Sequence, residues 1–172
     1  MLDLIGDILY LTTLVWKIGI LFEVEKMKLS TKTRYGLRIL LQIALENMEG
    51  NRLARGRTIA AKQGLTEPYL EQIMIPLKQA GFVGTVRGCN GGYELRRPAS
   101  EITVLDLIEL FDGVVDFAGC VKGEVKCGRI GDCPTRGVWD RLASRLREDA
   151  SRITLDSIVE DYKKSATNDY VI

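Results

Sequence analysis

Three of the chain's four cysteines, Cys120, Cys127 and Cys133, fall within fourteen residues as C-x6-C-x5-C, in a sequence with no histidine. The gaps are wider than the C-x2-4-C knuckles of structural zinc sites, and no second pair or histidine completes such a site. Disulfides are disfavoured because no credible export signal precedes these residues, and the cytosol keeps thiols reduced. Thiolates on a glycine-rich loop do suit an iron–sulfur cluster, whose soft irons prefer sulfur and whose exposure makes it reactive. Three unliganded cysteines are the plainer alternative. The absence of histidine also removes Ser-His-Asp and Cys-His arrangements, so hydrolase readings start low.

The elements that must position this loop lie in a chain of 172 residues, 46% apolar and 27% charged, which suits one globular domain with an appendage. Its net charge of +1 conceals a division. Residues 27–98 hold 12 Lys and Arg against 5 Asp and Glu, whereas residues 99–172 hold 10 against 14. A basic half points to a polyanion partner, joined to a segment with another task. Residues 1–26 are strongly apolar, yet they carry Asp3 and Asp7 where a signal peptide is basic, and Lys17 interrupts the least charged run. We expect Met27 to be the natural start, with residues 1–26 an over-extended reading of the gene. A membrane-tethered regulator is the reading if they are made.

Residues 30–48 have Ser30 as N-cap and apolar residues at Tyr35, Ile39, Leu40, Ile43 and Ala44, with a second stripe at Leu37, Leu41 and Leu45. A helix apolar on two sides sits deep in a fold or against a partner. TIAAKQ, residues 58–63, forms a short helix stopped by Gly64. TEPYLEQIMIPLKQA, residues 66–80, starts a second with Thr66 as N-cap and Pro68 in the first turn, while Pro76 predicts a bend or an early end. The pair reads as a helix-turn-helix, with Leu70, Ile73, Met74 and Leu77 inward and Thr66, Tyr69, Glu71 and Gln72 outward. FVGTVR and YELRR then flank GCNGG, where Asn90-Gly91 supplies positive backbone angles for a hairpin whose tip carries Arg87. This is a winged helix, with the second helix for the major groove and the wing for backbone or minor groove. A small α+β interaction module is the alternative.

Thr103 and Asp106 form a capping box before an apolar face of Val104, Leu107, Ile108 and Phe111. The glycine-rich cysteine loop follows. RGVWDRLASRLREDASRI, residues 136–153, then places Trp139, Leu142, Leu146, Ala150 and Ile153 on one helical stripe that can pair with its copy in a dimer.

MKLSTKTRYGLR (residues 27–38), YLEQ (69–72), PLKQAGFV (76–83) and VRGCNGGY (86–93) together resemble the Rrf-type winged-helix transcription regulators, which include IscR-like and NsrR-like iron–sulfur sensing members. The resemblance runs from Met27 to about Tyr162. It implies DNA contacts from Thr66, Tyr69, Glu71, Gln72 and Arg87, with Glu71 able to accept from a cytosine amino group and Arg87 reaching the minor groove. It implies cluster ligation by Cys120, Cys127 and Cys133, and pairing through the family's dimerisation helix. Two departures leave the fourth ligand open. Arg136 stands where IscR-like proteins place a histidine, and Arg34 where NsrR-like proteins offer an aspartate. Asp132, Glu124, another protomer's carboxylate or a small exogenous molecule fits the gap, whereas Cys89 reads better as a small wing-turn residue. The cluster type, 2Fe-2S or 4Fe-4S, stays open.

The expectation is a mainly α protein with a small β-hairpin wing. It comprises an apolar extension (1–26), a winged helix-turn-helix domain (27–98), a helix and cluster-binding loop (99–134), a dimerisation helix with a fold-back helix (135–164) and a flexible tail (165–172). Its function is that of a cytoplasmic homodimeric repressor on a double-stranded DNA operator, sensing iron–sulfur, redox or nitric oxide status. The rivals are a cluster-free regulator of the same fold acting through cysteine chemistry or a partner protein, and an iron–sulfur electron-transfer protein.

Overall fold

The computed structural model describes residues 29–48, 53–119 and 127–168, so residues 1–26, Cys120 and the end of the tail lie outside the described residues. Among the described residues, six α-helices and one two-stranded antiparallel hairpin run in the order α1 (Thr31–Met48), α2 (Gly56–Gln63), α3 (Glu67–Gln79), β1 (Val83–Val86), β2 (Gly92–Leu95), a 3-10 turn (Ala99–Glu101), α4 (Val104–Phe111), α5 (Arg136–Arg152) and α6 (Leu155–Asn168).

Helix α1 is the hub. The Ser30 hydroxyl accepts from the Thr33 amide at 3.1 Å, as an N-cap should. Ile39, Leu40 and Ile43 are wholly buried, and Leu37, Leu41 and Leu45 pack half-buried against the same cluster. Both apolar stripes are therefore used within this chain: α1 meets α2, α3, α4, α6 and β2. Leu70, Ile73, Met74 and Leu77 of α3 complete the core with Ile59, Phe82, Val83 and Tyr93. Each such side chain contributes about 1.5–3 kcal/mol by leaving water.

Pro76 does not end α3, which continues to Gln79. It stands in the last turn, and the missing amide hydrogen deprives the carbonyl of Gln72, an exposed residue to which water has access. The hairpin pairs Val83 with Leu95 and Val86 with Gly92. Among the glycines, the positive φ at its tip belongs to Gly88 (φ 123°) and not to Gly91. Gly91 serves by close approach, since a Cβ there would collide with the carbonyl oxygen of Val86.

The capping box of α4 forms, with the Thr103 hydroxyl accepting from the Asp106 amide at 3.1 Å and the Asp106 carboxylate accepting from the Thr103 amide at 2.8 Å. Helix α6 folds back through buried Leu155 and Val159 onto α1, and it runs four residues past Lys164, where the sequence reading placed a loose tail. Where that extension begins, the Ser165 hydroxyl donates to the Asp161 carbonyl and Lys164 forms exposed ion pairs with Glu160 and Asp161.

Candidate nucleic-acid interface and cysteine loop

Helices α2 and α3 are joined by Gly64, which sits at φ 65° and ψ 35°, the left-handed conformation that costs glycine nothing. Its amide donates to the Ala61 carbonyl at 3.2 Å and the Leu65 amide to that of Ala60 at 2.9 Å, closing the end of α2. Thr66 then caps α3, accepting from the Tyr69 amide at 3.4 Å. Arg57 of α2 pairs with Glu67 of α3 at 3.4 Å across the turn. The result is a helix-turn-helix whose second helix opens with its positive end toward solvent, the orientation that suits a phosphate or base edge.

The residues expected to face DNA do not share one environment. Thr66 and Gln72 are exposed. Tyr69 is half-buried, its ring edge-on to Tyr35 at 6.1 Å, so its body packs and only part of it reaches outward. Arg87 is exposed where β1 ends. Glu71 is not a free side chain: its carboxylate accepts from the buried Tyr93 hydroxyl and pairs with Lys78 at 3.4 Å, while the Lys78 ammonium also lies 5.7 Å from the Tyr93 ring centre. Burial first, then the hydrogen bond to Glu71 and its negative charge, push the Tyr93 phenol well above its usual range, so the phenol remains a donor. Recognition helix and wing are thus tied by one carboxylate. Sequence reading missed Tyr93 and Lys78, because nothing local marks a tyrosine in β2 as the partner of a glutamate 22 residues earlier.

The wing gains a third rung from the segment before α2. Ala54 exchanges two backbone hydrogen bonds with Tyr93, at 3.0 and 2.8 Å, which covers the outer side of β2.

Of the three loop cysteines, the structure places two. Cys127 is exposed and opens a turn, its carbonyl accepting from the Ile130 amide at 3.2 Å. Cys133 is half-exposed just before α5, with Sγ 3.3 Å from the Thr135 hydroxyl. That hydroxyl, then the amides of Thr135 and Arg136, hold the Cys133 thiol below its usual range despite a small opposing desolvation, and the Arg136 charge adds to the effect. Arg136 itself donates to the Ile130 carbonyl at 3.3 Å, bracing the turn between the two cysteines. Asp132 is exposed beside Cys133. Cys89 is exposed at the wing tip. Among the described residues no three His, Cys, Asp or Glu side chains form a metal-holding group. Two accessible thiols at the ends of this glycine-containing turn nevertheless fit the donor chemistry of an iron–sulfur cluster.

Both ends of the loop are anchored. At its start, the Asp112 carboxylate accepts from the Ser30 amide at 3.0 Å and the Thr33 hydroxyl at 2.7 Å, joining the end of α4 to the beginning of α1. At its finish it leads directly into α5. Along α5, Trp139, Leu142 and Ile153 are 38–47% exposed, as is Val138 at 40%, whereas Ala143 and Ala150 are buried. Ala150 therefore leaves the expected open stripe. Ala143 and Ala150, two turns apart, form the inner seam of a helix that packs on α4, and small side chains permit that approach. No described helix is long and apolar enough to cross a membrane.

Comparison with known proteins agrees with this architecture. The Rrf2 family model, described as an iron-dependent transcriptional regulator, matches residues 29–161. The rrf2 protein of Nitratidesulfovibrio vulgaris is 32% identical over 135 residues, covering 78% of this chain and 89% of that protein. The HTH-type transcriptional regulator IscR of Pectobacterium atrosepticum is 37% identical over 135 residues, covering 78% and 80%. Among solved structures, CymR, the global cysteine regulator of B. subtilis, superposes with a TM-score of 0.65 at 32% identity, covering 78% of this chain and 97% of that one. T. potens IscR gives a TM-score of 0.65 at 32% identity over 82% and 92%. With helix-turn-helix, wing and long C-terminal helix in this arrangement, and relatives of this similarity over most of their length, the chain belongs to the Rrf2 family of winged-helix, DNA-binding transcriptional regulators.

Proposed function

We propose that this regulator acts in the cytoplasm as a homodimeric repressor whose fit to a pseudo-palindromic operator depends on an iron–sulfur cluster held by Cys120, Cys127 and Cys133. The observation that carries the reading is the double anchorage of the cysteine loop: Asp112 fastens one end to the start of α1, and the other end is the first turn of α5. A change in loop order therefore acts on the hub of the DNA-binding domain and on the helix that offers an apolar face to a second copy. Two protomers joined along α5 through Trp139, Leu142 and Ile153 present two recognition helices to half-sites about one DNA turn apart. Thr66, Tyr69, Gln72 and Arg87 then meet the duplex. Glu71 reaches it through whatever lone pairs Tyr93 and Lys78 leave free.

Cys127 and Cys133 are accessible for ligation, and the polar contacts around Cys133 favour its thiolate form. The cluster, when bound, supplies a centre open to oxidation, loss or nitrosylation. Arg136 holds the turn between the two thiols, and Asp132 is the nearest described carboxylate in sequence for a fourth position. IscR relatives in the comparison support this reading.

A second reading has its own support. Cys133 is inclined to the thiolate without any metal, and the likeness includes CymR of Staphylococcus aureus in an oxidized form, at 33% identity and a TM-score of 0.62. In that reading the loop cysteines are the sensor by themselves, through reversible oxidation.

The deciding experiment is purification without oxygen, followed by iron and sulfide analysis, visible absorption and operator binding with and without the cluster. Bound iron with visible absorption and state-dependent affinity is the expected result. Colourless, iron-free protein whose DNA binding responds to peroxide favours the second reading.

A further inference from the structure

The outer edge of the wing has a construction that the helix-turn-helix contacts do not use. The Arg96 amide donates to the Phe82 carbonyl at 3.0 Å, which makes residues 82 and 96 a hydrogen-bonded pair. By the alternation of an antiparallel ladder, Gly84 and Val86 then pair toward β2, while Val83 and Thr85 turn their amides and carbonyls away from it. Among the described residues no strand covers that side of β1. Beside it lies an open cleft of about 380 Å³, lined by Lys78 and Gly81 from the end of α3, by Val83, Gly84, Thr85 and Arg87 along the edge, and by Arg96.

Three of those seven residues are cations, and none is acidic. Among the described residues neither Arg87 nor Arg96 has an ion-pair partner within 4 Å, although Glu94 stands across the hairpin from Gly84. The placement of Arg96 depends on Gly84: a Cβ there would lie 2.6 Å from Arg96 Nε and 3.2 Å from Cγ, so the arginine stem crosses β1 where no side chain obstructs it. Lys78 gives one of its three protons to Glu71 and keeps donors for the cleft. A strand edge with outward amides, flanked by cations, is a concavity for an anion.

We propose that this cleft seats a phosphodiester of the DNA backbone, gripped by Arg96 with Arg87 and Lys78 at its sides and the outward Thr85 amide at its floor. The inference rests on the DNA-binding reading and deepens it. It assigns Arg96 and Lys78 to positioning the protein on the duplex and gives them no part in reading sequence. The alternative occupant of an open edge, a further β-strand, is disfavoured by three cations that it would have to accommodate.

The test uses the full-length protein and a duplex that it selects from a randomised pool, compared with a scrambled duplex of the same length. Anisotropy titrations across a salt series give the slope of log Kobs against log salt. For Arg96→Gln, which keeps the stem over Gly84, the slope should become shallower by about 0.9 per bound protomer, equally on both duplexes. Arg96→Lys should restore most of it. Thr85→Glu, which places a carboxylate in the cleft, should weaken both complexes together. An unchanged slope for Arg96→Gln overturns the proposal, as does a loss confined to the selected duplex, which would make Arg96 a base reader. Inorganic phosphate that raises the thermal midpoint of the wild type but not of Arg96→Gln, with the slopes identical, overturns it in favour of a free anion. Wild-type protein that binds neither duplex in a salt-dependent way refutes the DNA-binding reading itself, a result distinct from all of these.

Discussion

Replacing Tyr93 by phenylalanine removes one atom and isolates the tie between wing and recognition helix. Tyr93 is 8% exposed, so the ring keeps its packing and no cavity forms. What is lost is a hydrogen bond to a carboxylate, a class worth about 1.5–3 kcal/mol. The Glu71 side chain is 50% exposed and keeps Lys78, so water can take the vacated lone pair, and the lower end, about 1.5 kcal/mol, applies. With a urea m-value of about 2 kcal/mol/M, the midpoint should fall by roughly 0.75 M with m unchanged. The complementary leg is Glu71→Ala, which leaves the Tyr93 hydroxyl buried without its acceptor. In the Tyr93→Phe background that penalty vanishes, so the double mutant should be more stable than the sum of the two singles by about 1 kcal/mol. The pH dependence has a definite sign. Because the folded phenol titrates above the ordinary tyrosine value near 10, its contribution is intact below pH 10 and is lost as the pH rises beyond it. The stability gap between wild type and Tyr93→Phe should therefore be flat through neutral pH and close in strong alkali. An unchanged urea midpoint in Tyr93→Phe, or strict additivity in the cycle, would show that the carboxylate does not bind wing to helix.

Two further predictions concern the anchors of the cysteine loop. Asp112→Ala removes the acceptor for the Ser30 amide and Thr33 hydroxyl and should destabilise the protein by about 1–2 kcal/mol, measured by urea unfolding. Desolvation alone would raise the Asp112 carboxyl, but hydrogen bonds from Ser30 and Thr33 outweigh it and hold it below its ordinary value of 3.8. Its stabilisation is thus present above that value and is lost only as pH falls through the lowered one, so the wild-type advantage over Asp112→Ala should disappear in acid below about pH 4. Leu142→Arg puts a charge on the open face of α5, where Leu142 is 47% exposed and its replacement costs the monomer little. Sedimentation equilibrium should show this variant as a monomer with an unchanged circular dichroism spectrum and weakened operator binding; a variant that still sediments as a dimer rules out this face as the pairing surface.

Local signals in the sequence determined the succession of elements. Gly64 between two short apolar-periodic runs, Thr66 before Glu67 and Pro68, and the Thr103–Asp106 pair all act within four residues of chain, and each forms as read. The inward set Leu70, Ile73, Met74 and Leu77 was likewise legible, because helical periodicity alone assigns a face. The cysteine spacing pointed to the loop without revealing its neighbours. Tertiary structure decided the rest, for reasons of contact between distant segments. Glu71 is drawn into an internal bond because β2 brings a buried phenol against α3, and Tyr69 is half covered because Tyr35 of α1 stands beside it. Ala150 turns inward because α4 packs on that side of α5, while Trp139 and Leu142 stay open. Asp112 joins the loop to the first turn of α1 across 82 residues of chain, a distance at which no sequence pattern operates and only the closed fold can bring donor to acceptor.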